Sequence, residues 1–405
     1  MDKAVLCIGG SELQRPTLCW AKQSGLRVLL TDTGAAPPTR DLADEFAQIP
    51  GDDADSLTAQ AIAWSKHYNI VSAYCGGDFG LVSVARIHQT LGLPGLDPVL
   101  VLASLNKARA NAILRAAGLP VPAGQVLPPD AELDVEKIAL PAVVKPVDGS
   151  GSRGVTLISK ASDLANAVAT ARSVSPEILI ESVVEGHHID VSGFFAAERF
   201  FPGGQLDRYF SPLPNRYPVW GCQPPGVLDK GEQQQVYDLL EQAARALGLA
   251  WGPVKADVIW SAQGPVLIEV TPRFHGDVST SFVCPLAYGT SPVEQWFRWL
   301  AGRSLSDADG LKRCISMAGW AGIFPERTGV IRTIEGLDKA EALPGIAGVL
   351  VRRRPGSRIA VLSDNRAVIG FVFARGADAS EVYAKLQAAL TEIRVVIQPS
   401  EETES

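Results

Sequence analysis

"VVKPVDGSGSRGV", residues 143–155, contains Gly149-Ser150-Gly151-Ser152-Arg153-Gly154, which fits the dinucleotide-binding pattern G-x-G-x-x-G letter for letter. That pattern holds a pyrophosphate when its glycines leave a strand and open a helix. Here Val155-Thr156-Leu157-Ile158 follows, a β-branched apolar run that predicts a second strand. The stretch therefore reads as strand, glycine loop, strand. A protein-kinase glycine loop shares that layout, but its lysine lies downstream of the glycines, whereas Lys145 stands upstream of Gly149. The loop reads as a phosphate lid of another kind.

Composition bounds what such a lid can serve. The chain has 405 residues, 46% apolar and 20% charged, as an ordinary globular protein of two to four domains would. A net charge of −7, with lysine and arginine scattered, gives no basic patch for a nucleic-acid backbone. The opening "MDKAVLCIGG" does not read as a signal peptide, and no run of 18 apolar residues occurs, so we expect a cytoplasmic protein without a membrane partner. Six cysteines (7, 19, 75, 222, 284, 314) are far apart and form no C-x-x-C, which favours reduced buried thiols over disulfides or zinc.

The first hundred residues alternate strand and helix: strands at 4–8, 27–31 and 70–74, helices at 13–22, 62–67 and 81–91. Such alternation predicts a parallel sheet with helices on both faces. A helix at 105–117, stopped by Gly118 and the prolines beyond, opens a second unit. Further on come a helix at 163–171, a strand at 177–181, a loop-rich stretch at 202–231 and a helix at 232–247 that stops at Gly248. The part from 312 to 397 reads β-rich with one helix at 380–390, and 399–405 reads as a frayed acidic tail. We therefore expect an α/β and α+β multidomain chain cut at 1–104, 105–184, 185–311 and 312–405.

The segment "PVKADVIWSAQGPVLIEVTP", residues 253–272, carries the chemistry. Two strands flank Ala262-Gln263-Gly264, and a three-residue hairpin loop wants glycine at its last position. That turn puts Ser261 opposite Pro265 and, counting back, Asp257 opposite Glu269, on one face with Lys255 and Thr271. Like charges across a sheet repel unless something lies between them. A hard divalent ion such as magnesium would serve, and so would Lys255; the register does not choose between them.

Lys107 on a helix, the glycine loop behind Lys145, "ILIESVVEG" at 178–186, Asp257 and "IEVTPRFHGD" at 268–277 stand in the order and approximate spacing of the ATP-grasp superfamily. Within it the chain most resembles the carboxylate–amine ligases of the L-amino-acid ligase type, whose C-terminal region resembles "GVLVRRRPGSRIAVLSDNRAVIGFVFARG" at 348–376. The resemblance implies the ATP-grasp architecture, with 1–104 as the domain that precedes the grasp, 105–184 as its small lobe, 185–311 as its large lobe with the metal and substrate sites, and 312–405 as a β-rich C-terminal domain.

The resemblance also implies roles. Lys107 and Lys145 would neutralise the α- and β-phosphates of ATP, and Gly149, Ser150, Gly151, Ser152, Arg153 and Gly154 would close over the β- and γ-phosphates. Glu181 with Ser182, Val183 and Val184 would bind adenine as the inter-lobe hinge. The family's usual ribose-binding acid is replaced here by His188, with Asp190 on the same face of the strand. Asp257 and Glu269 would hold Mg2+, with Thr271 where asparagine is usual. Arg273 would stabilise an acyl phosphate and the later oxyanion. His275 and Gly276, together with Arg216 and Trp220 in the loop "PNRYPVWG", are substrate-site candidates, with Tyr217 beside them. The expected substrates are a small carboxylic acid and an amine, with ATP as cosubstrate; a homodimer is compatible with the family. Two alternatives stand beside the ligase: a nucleotide-binding module whose catalysis has decayed, and a carboxylase-like enzyme that phosphorylates bicarbonate.

Overall fold

The computed structural model describes residues 1–131, 134–211, 217–276, 278–305, 311, 314–362 and 365–398. The chain divides into two compact units, each assembled from separated stretches: Met1–Val121, Ile189–Gln205 and Leu228–Cys314 in the first, Pro122–His188, Leu206–Val227 and Ile315–Ser405 in the second.

In the first unit, strands Glu45–Gln48, Arg27–Asp32, Lys3–Ile8 and Asn69–Cys75 lie side by side in that order, all parallel. Parallel sheets are buried on both faces, and alternation distributes the side chains accordingly. Ala4, Leu6 and Ile8 pack against Leu57, Ala61 and Trp64 of helix Ala54–Ser65 and Ile87 of helix Leu81–Leu91. Val5, Cys7, Val28 and Leu30 face the other way, onto Leu18 and Ala21 of helix Arg15–Gln23 and onto Val293, Trp296 and Phe297 of helix Pro292–Leu300.

The expected helix from Leu105 is Lys107–Ala116, and another helix, Pro98–Leu105, which was not expected, precedes it. The break falls at Asn106, whose extended backbone and side-chain oxygen cap the second helix through the Arg109 N–H. Asp97 and Pro98 start the first helix in the same way, an acid cap followed by proline at the first turn. Helix Lys230–Ala246 begins in a capping box, where Asp229 and Glu232 each accept the other's backbone N–H. It lays Val236, Leu239, Leu240 and Ala243 on the hairpin Gly252–Ser261/Gly264–Thr271.

In the second unit, strands Gly124–Leu127, Ile178–Ser182, Ala142–Pro146 and Thr156–Ile158 form an antiparallel sheet in that order. Helix Leu164–Arg172 covers it, with Leu164, Ala167, Val168 and Ala171 against Ala142, Val144, Ile158, Ile178 and Ile180. The C-terminal part pairs Pro218–Gln223, Met317–Ile323, Gly370–Gly376 and Ile346–Val351, with Gly329–Glu335 flanked by Arg358–Ile359 and Arg394–Gln398 in a smaller sheet. Helix Ala379–Glu392 packs on it, and a short helix Leu337–Glu341 joins the single one expected. Residues 399–405, read as an acidic tail, lie outside the described residues.

The stretch 202–231 is corrected by the structure: much of it is strand, in Arg199–Phe210 and Pro218–Gln223. Its glycines signalled turns but serve close approach. A Cβ on Gly203 would come within 3.0 Å of the Ser192 backbone, and one on Gly221 within 2.4 Å of the Asp207 carbonyl oxygen. All six cysteines are thiols; four are buried, Cys19 is half-buried and Cys314 is exposed, so the expectation of buried thiols fails for Cys314. Among the described residues no helix is long and apolar enough to cross a membrane.

Candidate active site

The hairpin 252–271 sets the first unit's polar centre. Asp257 lies opposite Glu269, as the sequence predicts, by a different route. Ser261 pairs with Gly264 rather than Pro265, and the shift is made good further along, where Ile268 bulges out between the pairs Val258–Leu267 and Asp257–Glu269. Gly264 takes the positive φ (108°) that the turn demands. Both carboxylates converge on one cation: the Lys255 ammonium lies 3.0 Å from Asp257 Oδ1 and 2.6 Å from Glu269 Oε2. Lys107, in the first turn of helix Lys107–Ala116, takes the other oxygen of Glu269 at 3.1 Å.

Lys255 is 3% exposed, so its charge is argued over in a dry environment. Burial pushes its ammonium down, and Asp257 and Glu269 together outweigh that and hold it above its ordinary value. Burial likewise pushes Glu269 up, while Lys255 and Lys107 hold it well below the usual carboxylate range. Both groups are therefore charged at neutral pH. A pair of hard oxygens aimed at one point fits a divalent ion of the magnesium type as well as it fits an ammonium. Thr271 is buried and pairs with Lys255 across the strands.

Arg273 follows at the end of the second strand. Its guanidinium is gripped by Asp78, Nε to Oδ1 at 2.5 Å and Nη2 to Oδ2 at 3.2 Å, and its Nη1 donates to the Phe274 carbonyl at 3.0 Å. Burial opposes its charge, but Asp78 outweighs burial and the pKa lies above its ordinary value. Asp78 stands at the first turn after strand Asn69–Cys75, in "GGDFG", and the sequence reading missed it: nothing linear joins positions 78 and 273. Gly276 has a packing reason to be glycine, since a Cβ there would come within 2.6 Å of the Gly76 carbonyl oxygen.

His275 is 7% exposed and stands between two acids, with Nδ1 3.7 Å from Asp190 Oδ2 and Nε2 3.8 Å from Asp257 Oδ1. Ligand atoms of Asp190, Asp257 and His275 all lie within 4.8 Å of one another. Asp190, carried by strand His187–Ala196, thus lies beside His275 and Asp257.

The second unit holds the remaining candidates. Lys145 is 4% exposed on a central strand, flanked by Thr156–Ile158 and Ile178–Ser182. It forms an ion pair with buried Glu181 at 2.5 Å, which engages the carboxylate assigned to the hinge. Past Lys145 the loop takes positive φ at Gly149, Gly151, Ser152 and Gly154, a backbone only a glycine-rich run sustains. Arg153 donates to the Ser150 carbonyl, within the loop. Ser182 ends its strand with N–H and hydroxyl both on the Ala123 carbonyl, and Val183 and Val184 follow it without regular structure.

His188 lies 4.6 Å from the Phe210 ring, centre to centre, and lines a polar cavity of about 150 Å³ with His187, Asp207, Arg208 and Tyr209. Trp220 is stacked on Tyr209 at 3.9 Å and touches Tyr383. Tyr217 packs on Phe324. Arg216 lies outside the described residues.

Two family models match the chain: an ATP-grasp domain over residues 104–277 and the L-amino acid ligase C-terminal domain 2 over residues 322–398. An uncharacterized protein of Sinorhizobium fredii, y4rH, is 31% identical over 364 residues, 88% of this chain and 74% of its own. The D-alanine–D-alanine ligase of Rhodococcus erythropolis is 27% identical over 289 residues, 66% of this chain and 73% of its own. Among solved structures, the L-amino acid ligase from Bacillus licheniformis superposes with a TM-score of 0.84 at 20% identity, covering 98% of this chain and all of that one, a likeness of fold.

Proposed function

Since this chain belongs to the ATP-grasp superfamily, we propose that it is an ATP-dependent ligase that converts a small carboxylic acid, an amino acid, to its acyl phosphate and joins it to an amine. Enzymes of the superfamily use ATP and Mg2+. The observation that carries the proposal is the convergence of Asp257 and Glu269 on one cationic point, with Arg273 held by Asp78 in the same charge network.

A carboxylate is a poor electrophile because its leaving group would be oxide. One of its oxygens therefore attacks the γ-phosphorus, the bond to the β-phosphate oxygen breaks, and ADP departs. The amine nitrogen then attacks the carbonyl carbon, and the tetrahedral adduct expels inorganic phosphate and sheds a proton. Phosphoryl transfer asks mainly for alignment and charge neutralisation. Lys145 and the backbone of 149–154 serve the nucleotide phosphates in this reading, and 181–184 the base. Lys107 serves the phosphates beside Glu269, at a helix start whose dipole also favours an anion. Arg273, fixed before the reaction, would stabilise the acyl phosphate and then the oxyanion of the tetrahedral adduct. Asp257 and Glu269, with Thr271 beside them, would hold the divalent ion, which supplies charge neutralisation to the reacting phosphates. His275 and Gly276 line the substrate side.

Protein, ATP and Mg2+ mixed with pools of amino acids give the test. Phosphate and ADP released in equal amounts, only when an acid is present, support the proposal. Folded protein that releases no phosphate with any pool, or releases it only with bicarbonate, would count against it.

A further inference from the structure

We propose that Lys255 is a built-in counter-cation that a divalent ion must displace, so that the metal enters this site together with nucleotide rather than ahead of it. The inference rests on the reading of Asp257 and Glu269 as metal ligands and adds how their occupancy is controlled.

The ammonium sits on the two oxygens an incoming ion would use, Asp257 Oδ1 and Glu269 Oε2, at 3.0 and 2.6 Å. A magnesium-sized ion binds carboxylate oxygens at roughly 2.0–2.1 Å. It cannot share both oxygens with an ammonium at hydrogen-bond distance, because the ion would then be driven against the charge of a lysine that is 3% exposed. Nor can the ion turn to the far side of Glu269, where Lys107 holds Oε1.

Charge balance points the same way. Four acids, Asp78, Asp190, Asp257 and Glu269, lie among Lys107, Lys255, Arg273 and His275 within one linked group. A dication arriving alone must strip Lys255 of both its partners and add its charge beside Lys107, Lys255 and Arg273. Leaving a charge buried without a partner is among the costliest changes a protein interior can undergo. Nucleotide changes the terms, because its phosphates offer the displaced ammonium a new anion. Lysine suits such a transfer: its charge is a point on a flexible four-carbon stem, free to re-aim where a guanidinium fork would stay fixed.

The same geometry accounts for how the hairpin tolerates two acids face to face. Repulsion across the strands at 257 and 269 is cancelled in the resting protein by a covalently attached cation, so the fold does not depend on metal supply.

Binding of Mn2+, followed by its electron paramagnetic resonance, tests this on the full chain. Wild type is expected to bind Mn2+ weakly alone and at least tenfold more tightly with a non-hydrolysable ATP analogue. Lys255→Met is expected to bind Mn2+ alone about tenfold or more tighter than wild type, because the internal competitor is gone. Lys255→Arg, which keeps the charge, is expected to show no such gain. Melting adds a second readout: Lys255→Met should melt lower than wild type in EDTA and recover with Mn2+, while wild type melts alike in both. A Lys255→Met protein that folds only when Mn2+ is present supports the inference equally. Lys255→Met and Lys255→Gln variants that bind Mn2+ no tighter than wild type, with melting indifferent to metal, would overturn it. Wild type that fails to bind Mn2+ even with the analogue would instead overturn the metal reading beneath it.

Discussion

Asp78→Asn isolates the contact that fixes Arg273. Asparagine has the shape of aspartate but keeps only one acceptor oxygen and turns an amide NH2 toward the guanidinium. The variant therefore loses one of two charge-assisted hydrogen bonds, at 2.5 and 3.2 Å, and the attraction of opposite charges. A hydrogen bond to a charged group is worth about 1.5–3 kcal/mol. The side chains are 12% and 22% exposed, between a surface pair and a buried one. We expect a loss of about 2 kcal/mol, above the ~1 kcal/mol ceiling of exposed pairs and below the ~3–5 kcal/mol for breaking fully buried ones.

The assay is a double-mutant cycle in urea over wild type, Asp78→Asn, Arg273→Met and the double variant, with a coupling energy of about 2 kcal/mol expected. Kinetics form the companion cycle. An oxyanion donor removed outright costs about 10²–10³ in kcat, so one kept but no longer fixed should cost about 10–100-fold, with KM for ATP little changed. The reasoning is refuted if Asp78→Asn has the same effect on stability and on kcat whether or not Arg273 is present, because Asp78 would then act on something else.

Glu269 is held well below its ordinary 4.5, with burial opposed by Lys255 and Lys107, so its stabilising share is present above that value and lost as pH falls through the folded-state pKa. Glu269→Gln should remove that part of the acid unfolding curve, read by circular dichroism, and should lose metal-dependent ATP turnover. Asp207 has the opposite sign: burial pushes it from 3.8 up to about 6, so its favourable share is present below 3.8 and lost as pH rises through 6. Asp207→Asn keeps an acceptor for the Gly226 N–H and should be about 1–3 kcal/mol more stable than wild type at pH 8, with no such gain at pH 4, in urea titrations at the two values. Lys145→Met takes the buried Glu181 carboxylate from its lysine and should destabilise by about 3–5 kcal/mol, most of which Lys145→Met/Glu181→Leu should recover if the ion pair is the cause.

What the sequence made legible was local. The strand, glycine loop, strand reading of 143–158 needed only the β-branched run after Gly154, and the parallel sheet needed only alternation along the first hundred residues. The facing of Asp257 and Glu269 came out right although the turn is one residue tighter than expected, because the bulge at Ile268 restores the count; the bulge leaves no mark in the sequence. Asp78 was invisible because its meaning comes from a partner 195 positions away. Lys255 was visible as one of two options, since alternation put it on the acids' face without saying where its ammonium would rest. Residues 202–231 misled because glycine marks both turns and crowded strands, and only the neighbouring strand tells which. The helix at 105–117 was legible from its glycine and proline stop, whereas the Asp97-Pro98 start of the helix before it was an ordinary signal that went unread.

The central claim is that the acid is activated by transfer of the γ-phosphoryl group to its own carboxylate oxygen. Once the phosphate-release screen has identified an acid, that acid labelled with 18O in both carboxylate oxygens, turned over with ATP and amine, measures this directly by mass spectrometry of the phosphate. The account predicts one 18O atom in each phosphate released and one retained in the amide; phosphate that carries no label would contradict it.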